Sequence, residues 1–122
     1  SESYFRSWEQ AVIKGLSKKK NMIVSTGGGV VTHEPSMTLL KQLGPVIYLR
    51  ASVDTIYKRT RHNKDRPLLN VDDPITVITE LLSKRAKSYE HYADLIIDVD
   101  HMSIHEISAT IMNNYEFLDI NS

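Results

Sequence analysis

MIVSTGGGVV, residues 22–31, joins a short β-rich run to three consecutive glycines. The run over residues 22–26 predicts a strand, because it is short, apolar and bounded by glycine. The glycines at 27–29 lack side chains, so a ligand could approach the backbone and its N–H donors closely. Ligands of open α/β sheets bind beyond the carboxyl ends of strands. The stretch therefore predicts a site for an anion or a polar ligand, with a tight strand-to-helix turn as the alternative.

The rest of the sequence alternates between helical and strand patterns. Apolar residues at helical spacing predict a helix over residues 3–18 and another that begins near Pro35. The continuous apolar run at 46–49 predicts a buried strand of a parallel sheet, and residues 94–99, which contain Leu95-Ile96-Ile97, predict another strand. Three further helices are predicted from their caps, which are Ser52, Asp73 followed by Pro74, and the capping box Ser103-Ile104-His105-Glu106. We expect one domain over residues 1–122, an α/β fold in which helices flank a parallel sheet.

The composition excludes several classes of function. Lys and Arg together number 15, as do Asp and Glu, so no overall field favours nucleic acid or an anionic membrane as a partner. Cysteine is absent, which excludes disulfides and zinc sites built on thiolates. Neither a transmembrane run nor a signal peptide pattern is visible, so a cytoplasmic location is expected. The chain begins without Met and almost directly in a helical pattern, from which we expect a fragment or a processed chain.

A polar and basic segment over residues 61–72 predicts a long loop. The loop contains Arg66-Pro67-Leu68-Leu69, and Arg59 comes shortly before it. A cationic loop of this length in a compact domain is typical of an active-site lid. Guanidinium groups there could stabilise the charge on a phosphoryl group during transfer. The alternative is an ordinary solvated basic loop.

Two further arginines have notable positions. Arg85 falls on the apolar face of its predicted helix, and arginine is seldom buried without a partner. It could hold a ligand carboxylate through a bidentate hydrogen bond, or its stem could pack while its head stays in water. Arg6 and Glu9 lie one helical turn apart, either as a surface ion pair or as a glutamate that directs the arginine toward a ligand. No metal site is predicted from the histidines.

Taken together, these motifs resemble those of the shikimate kinase family. The family pattern around a Phe-Arg pair and a glutamate is matched by Ser1-Glu2-Ser3-Tyr4-Phe5-Arg6-Ser7-Trp8-Glu9. Three further elements follow in the family order, namely the triple glycine within residues 25–31, the lid sequence Arg66 to Leu69, and Arg85 with Tyr89 and Tyr92-Ala93-Asp94. The resemblance covers nearly the whole chain and implies a kinase of the P-loop class.

The resemblance implies a role for each matched residue. Arg6 and Arg85 would bind the carboxylate of shikimate, and Glu9 would orient Arg6. Arg66 would bind ATP from the lid and act on the transferring phosphate, while Arg59 would lie beside the adenine. The hydroxyls and ring edge of shikimate would be bound by backbone groups of Gly27, Gly28 and Gly29.

The implied reaction moves the γ-phosphate of Mg-ATP to the 3-hydroxyl of shikimate, a step of aromatic amino acid biosynthesis. In the family, the first strand and the P-loop precede the position that Ser1 matches, so the main ligands of ATP and Mg²⁺ are expected outside this sequence. We therefore expect the 122-residue chain to be inactive alone. The strand between residues 22–26 and 46–49 would come from a complementing N-terminal segment or from a second protomer, or the two strands would close the gap by pairing directly. The location would be cytoplasmic, or a plastid if the source is a plant.

Two other functions stay open. The chain could belong to another small-molecule kinase of the P-loop class, such as a gluconate or nucleotide kinase, although Phe5-Arg6 and Arg66-Pro67-Leu68-Leu69 argue against this. It could also be a non-catalytic, shikimate kinase-like binding or regulatory module, since loss of the P-loop would leave such a module.

Overall fold

The computed structural model describes residues 2–16, 22–61 and 73–121, with side chains as far as residue 115. In chain order its elements are α1 (Glu2–Leu16), a 3-10 helix (Gly28–Thr32), α2 (Glu34–Leu43), β1 (Ile47–Arg50), α3 (Val53–Thr60), α4 (Pro74–Tyr92), β2 (Leu95–Asp98) and α5 (Ile104–Asn121). Helices and strands alternate in the predicted order, with one exception at residues 22–26.

β1 and β2 form a two-stranded parallel sheet. Their register pairs Ile47 with Leu95 and ends with Arg50 opposite Asp98. Parallel strands need a long crossover connection, and here α3 and α4 lie in the stretch between the two strands. The predicted α/β class with a parallel sheet is thus confirmed.

Residues 22–27 do not form the strand that was predicted over residues 22–26. A strand persists where its backbone groups pair with a neighbour, and within the described residues this segment has no paired neighbour. Its apolar side chains lie open instead, since Ile23 is 100% exposed and Met22 and Val24 are more than 40% exposed. The glycines that follow open the 3-10 helix rather than end a strand.

The predicted helix caps are confirmed. The side chain of Ser52 accepts a hydrogen bond from the backbone N–H three residues later, at 3.3 Å. Asp73 does the same at 3.2 Å, and its carboxylate also accepts a hydrogen bond from the hydroxyl of Thr76 at 2.6 Å. The bond from this hydroxyl, followed by the bond from the backbone N–H, lowers the pKa of the Asp73 carboxyl group. Ser103 and Glu106 each accept a hydrogen bond from the other's backbone N–H at 3.1 Å, as a capping box requires.

Asp94 joins α2 to the starts of both strands. Its carboxylate accepts hydrogen bonds from Nζ of Lys41 at 2.8 Å and from the backbone N–H of Val46 at 2.7 Å. Partial burial raises the pKa of Asp94, but these two hydrogen bonds outweigh that effect, so the pKa is lowered. The ionised carboxylate therefore contributes to the stability of this joint.

The hydrophobic core lies beneath the glycine run. Its buried members come from α1, the 3-10 helix and α2, and they are Ile13, Val30, Val31, Met37 and Leu40. Tyr89 and Tyr92 of α4 pack against this cluster. The helices that carry Arg6 and Arg85 therefore both contact the core that contains Val30 and Val31 of the 3-10 helix.

Several apolar side chains of α1 remain exposed. Tyr4, Trp8 and Val12 follow each other at intervals of four residues and are 73%, 61% and 45% exposed. They therefore form one open helix face, here called the α1 aromatic face. Among the helices that the structure describes, none is long and apolar enough to cross a membrane.

Candidate functional site

Arg6 and Glu9 form an ion pair on α1 that is largely shielded from water. Nη1 of Arg6 donates to Oε1 of Glu9 at 2.9 Å, and the two side chains are only 16% and 17% exposed. The guanidinium also lies over the ring of Phe5, with 5.1 Å between its carbon and the ring centroid. Glu9 thus holds one nitrogen of the arginine fork and leaves the other terminal nitrogen, Nη2, to point elsewhere.

Nη2 of Arg6 points at Gly29. A Cβ atom placed on Gly29 would lie 2.7 Å from this nitrogen, which is closer than side-chain carbons ordinarily approach. Arg85 reaches the same glycine from α4, because its Nη2 would lie 3.5 Å from that Cβ. The structure therefore brings Arg6 and Arg85 together over one glycine, and their binding of one carboxylate stays a prediction.

Gly28 is crowded by α4 alone. A Cβ atom there would lie 2.9 Å from Oη of Tyr89 and 3.4 Å from Nη1 of Arg85. Gly27 differs, since no atom lies within 4 Å of where its Cβ would be. The close approach that calls for glycine is thus confined to Gly28 and Gly29, and Gly27 serves as the extended N-cap of the 3-10 helix.

The charges at this point are not balanced. Arg85 is half-buried, and within the described residues it has no carboxylate in ion-pair range. Oε1 of Glu9 accepts from Arg6, and the buried Nε of Arg6 has no hydrogen-bond partner among the described residues, although Oε1 of Glu2 lies 3.8 Å from it. The Glu2 side chain is 80% exposed, so water screens its charge. The two guanidinium groups thus share one largely buried carboxylate, Glu9, and this favours an anion between them. Planar carboxylates match the arginine fork and can bind it through two hydrogen bonds.

Two polar residues near Glu9, Ser36 and His33, were not predicted as site residues. Ser36 of α2 is fully buried, and its hydroxyl lies 3.5 Å from Oε1 of Glu9 and 3.3 Å from Nδ1 of His33. The signal for Ser36 is its position four residues before Leu40, a small polar residue on an otherwise apolar helix face. His33 is the N-cap residue of α2, and its ring contact with Ser36 spans only three residues.

Tyr89 was part of the sequence resemblance but had no predicted role. Its hydroxyl donates to the carbonyl of Gly28 at 2.7 Å. Its ring stacks on Tyr48 of β1, with ring centroids 4.8 Å apart and an interplanar angle of 29°. Burial, followed by the neighbouring Tyr89, raises the pKa of Tyr48. Tyr89 thus connects the sheet to the glycine run.

The residues predicted for the nucleotide side are only partly described. Arg59 is exposed, and its Nη2 donates to the carbonyl oxygens of Val99 at 3.2 Å and Met102 at 3.5 Å. It therefore lies beside the loop that follows the carboxyl end of β2. Arg66 and the rest of the predicted lid after Arg61 lie outside the described residues.

Charges at the carboxyl ends of the strands pair with each other. Arg50 binds Asp98 through two hydrogen bonds and lies 3.6 Å from a carboxylate oxygen of Glu90. The hydrogen bond with Arg50 lowers the pKa of Asp98.

A cleft of about 400 Å³ lies beside Arg6, between the polar face of α1 and residues 32–33. The residues that line this cleft include neither Arg85 nor the glycines. We therefore define the candidate site by the convergence of Arg6 and Arg85 on Gly29, and not by the cleft.

None of the described residues form a group of three or more His, Asp or Glu side chains that could hold a metal ion. The polar groups at the site are instead arginine forks and backbone donors, which suit an organic anion.

Comparison with known proteins agrees with the sequence resemblance. The family model for shikimate kinase matches residues 1–116. A shikimate kinase of Thermodesulfovibrio yellowstonii is 41% identical over 117 residues, which cover 96% of this chain and 67% of the relative. One of Hahella chejuensis is 42% identical over 96 residues, covering 79% of this chain and 50% of the relative. The chain thus spans between half and two thirds of the length of these relatives.

Solved structures give the same result. The chain is similar to a shikimate kinase from Acinetobacter baumannii in complex with shikimate, with a TM-score of 0.80 and 32% identity over 93% of this chain and 63% of that one. A shikimate kinase from Bacteroides thetaiotaomicron also matches with a TM-score of 0.80, at 26% identity over 97% of this chain and 69% of that one. On these grounds the chain belongs to the shikimate kinase family.

Proposed function

We propose that this chain is the substrate-binding and lid-bearing part of a shikimate kinase, which transfers the γ-phosphate of ATP to the 3-hydroxyl of shikimate. The observation that carries the proposal is the convergence of Arg6 and Arg85 over Gly29. The Acinetobacter baumannii relative, solved in complex with shikimate, supports shikimate as the ligand. The reaction would belong to aromatic amino acid biosynthesis, in the cytoplasm.

Arg6 and Arg85 would hold the carboxylate of shikimate from two sides. Glu9 occupies Nη1 of Arg6 at 2.9 Å, so Nη2 is the nitrogen that remains for the substrate. Arg85 has no acidic partner among the described residues and would be neutralised only when the carboxylate binds. Fixing the carboxylate in this way would orient the ring hydroxyls toward the glycine run, and such positioning is most of what a phosphoryl-transfer enzyme supplies.

Arg59 and Arg66 would serve the nucleotide. ATP supplies the phosphoryl group, and Mg²⁺ neutralises its oxygens when bound. Arg59 fits the adenine side, since its guanidinium lies against the loop after β2 and nucleotides bind at the carboxyl ends of strands in α/β sheets. Arg66 would reach from the lid to stabilise charge on the transferring phosphate. The sequence contains no P-loop motif, so the main ligands of both groups would come from outside the 122 residues.

The exposed apolar surfaces support a complementing segment as the partner. Among the residues that the structure describes, the strand-like segment 22–26 has no paired neighbour, and Ile23 is completely exposed. Trp8 of the α1 aromatic face is 61% exposed as well. A strand placed between residues 22–26 and β1 would pair with both, since unpaired strand edges readily accept another strand. We propose that this strand belongs to a segment equivalent to the part of the relatives that this chain does not cover.

A complementation assay tests the proposal. The 122-residue chain is co-produced with the part of the Thermodesulfovibrio yellowstonii relative that precedes its matched region, and ADP formation is followed with shikimate as substrate. We expect turnover from this complemented protein and background rates from the chain alone. Equal, robust activity of the chain alone would contradict the need for a second segment.

The same assay separates the alternatives. Turnover of gluconate or of a nucleoside monophosphate, with none of shikimate, would identify a different small-molecule kinase. Binding of shikimate by a stably assembled complemented protein without any turnover would indicate a non-catalytic module. An active dimer of the chain, formed without the added segment, would show that a second copy supplies the missing strand by exchange between protomers.

A further inference from the structure

Tyr89 is the only described side chain seen to bind a carbonyl group of the glycine run from another helix. Its hydroxyl donates to the carbonyl of Gly28 at 2.7 Å, across a sequence separation of 61 residues. Tyr89 also lies one helical turn after Arg85, on the same side of α4. One helix face thus delivers both the arginine and the hydroxyl to the same two glycines, Gly28 and Gly29.

The position of the Tyr89 hydroxyl is set by the sheet. Its ring stacks on Tyr48 of β1 at 4.8 Å, and it packs against the hydrophobic core beneath the glycines. A tyrosine has only two side-chain torsions, so these two contacts fix where the hydroxyl points. The carbonyl of Gly28 is therefore held relative to β1 rather than to the loop's own neighbours.

Gly28 and Gly29 are held by different side chains. Within the 3-10 helix, Oγ1 of Thr32 donates to the carbonyl of Gly29 at 2.7 Å. The hydrogen bond that begins this helix, from the N–H of Val30 to the carbonyl of Gly27, is long at 3.4 Å. Glycines have no side chains with which to pack, and their backbone is the freest of any residue. The contact from Tyr89 to the carbonyl of Gly28 therefore restrains the part of the run that Thr32 does not reach.

We propose that Tyr89 is a positioning residue. It holds the backbone of the glycine run in the place where that backbone can contact the ring hydroxyls of the substrate. This proposal rests on the proposed function, because it takes shikimate as the ligand. The arginines would bind the carboxylate without help from Tyr89, whereas contacts to the hydroxyls would depend on it. The side chain acts through Gly28 and touches neither substrate nor ATP.

The test compares Tyr89→Phe with the unchanged complemented protein. The substitution removes one oxygen and keeps the ring that stacks on Tyr48. We expect the KM for shikimate to rise about five- to tenfold, the loss of one neutral hydrogen bond, while kcat and the KM for ATP change less than about twofold. Tyr115→Phe, which removes the same oxygen from an exposed residue of α5, is the matched control.

A second ligand separates positioning from general loosening. Cyclohexene-1-carboxylate keeps the carboxylate of shikimate and lacks its hydroxyls. As a competitive inhibitor it should bind Tyr89→Phe and the unchanged protein equally well. If its affinity falls as far as that of shikimate, the substitution disturbs the arginines too and the proposal is overturned. An unchanged KM for shikimate in Tyr89→Phe would overturn it as well.

A measurement without ligand keeps this proposal distinct from the proposed function. The ¹³C shift of the Gly28 carbonyl and the exchange rates of the Gly28 and Gly29 amide protons report on the anchor directly. We expect Tyr89→Phe to move the carbonyl shift and to speed exchange, and Tyr115→Phe to do neither. If the unchanged protein fails to bind shikimate, the proposed function is wrong, yet these signals still decide whether Tyr89 anchors the loop. Unchanged signals would refute the anchor.

Discussion

Replacing Gly29 with alanine should weaken shikimate binding while leaving the fold intact. The new methyl carbon would lie 2.7 Å from Nη2 of Arg6 and 3.5 Å from Nη2 of Arg85. Non-bonded atoms pack at about 3.5–4.0 Å, so the Arg6 nitrogen would have to retreat by about 1 Å. It lies at the far end of a flexible side chain and can do so at little cost in stability. The backbone conformation of Gly29 lies outside the left-handed region, so alanine meets no backbone strain there.

The retreat of Arg6 sets the size of the effect. A charge-assisted hydrogen bond is worth about 1.5–3 kcal/mol, which corresponds to about 10- to 150-fold in binding. A misplacement of about 1 Å at an active site can cost about a hundredfold. We therefore expect the KM for shikimate to rise about 10- to 100-fold in Gly29→Ala, with little change in melting temperature or in the KM for ATP.

Steady-state kinetics of the complemented protein, with ADP formation as the readout, measures this effect. Gly15→Ala is the matched control, because a methyl there meets no atom within 4 Å. Direct binding of shikimate by calorimetry separates affinity from turnover. If Gly29→Ala binds shikimate as tightly as Gly15→Ala does, the convergence of the two arginines on Gly29 is not the carboxylate site.

Three further predictions concern single side chains. Arg85→Ala should raise the KM for shikimate about 10- to 150-fold, and Arg85→Lys should recover only part of this because it keeps the charge and loses the fork; full recovery by lysine would argue against bidentate binding. Arg66→Ala should lower kcat more than shikimate affinity, because phosphoryl charge develops in the transition state, and a purely binding defect would contradict that role. Asp94→Asn should lower the free energy of unfolding by about 1 kcal/mol at neutral pH, as measured by urea denaturation. Because the folded-state pKa of Asp94 is lowered, this difference should be present above the ordinary value of 3.8 and shrink as the pH falls through the folded pKa; a difference that is constant with pH would refute the assignment.

The local features of this chain were predictable from sequence. A helix cap depends on a side chain and a backbone N–H only three residues away, so Ser52, Asp73 and the capping box at Ser103 could be identified without the fold. The parallel class followed from continuous apolar runs, and Arg85 was noticed because it falls on an apolar face. Each of these inferences uses information within one or two helical turns.

The features that failed or were missed depend on distant partners. Residues 22–26 have the composition of a strand, but pairing decides whether a strand forms, and composition does not reveal the partner. Tyr89 contacts a carbonyl 61 residues away, and Ser36 lies 3.5 Å from a glutamate 27 residues away. Such contacts arise only when α1, α2 and α4 pack around one core, so the sequence pattern identified the arginines and the nearby Glu9 but not the distant groups Ser36 and Tyr89.

The parallel pairing of β1 with β2 also governs how freely the length of the predicted lid, residues 61–72, can vary. The pairing places Ile47 opposite Leu95, so the two strands close one long connection that contains α3, residues 61–72 and α4. The entropy of closing a loop grows only with the logarithm of its length, and about five residues added here would cost only about 0.1 kcal/mol. The pairing of the two strands is therefore almost independent of the number of residues between α3 and α4. Designed variants could lengthen or shorten the predicted lid while the strands keep the same register.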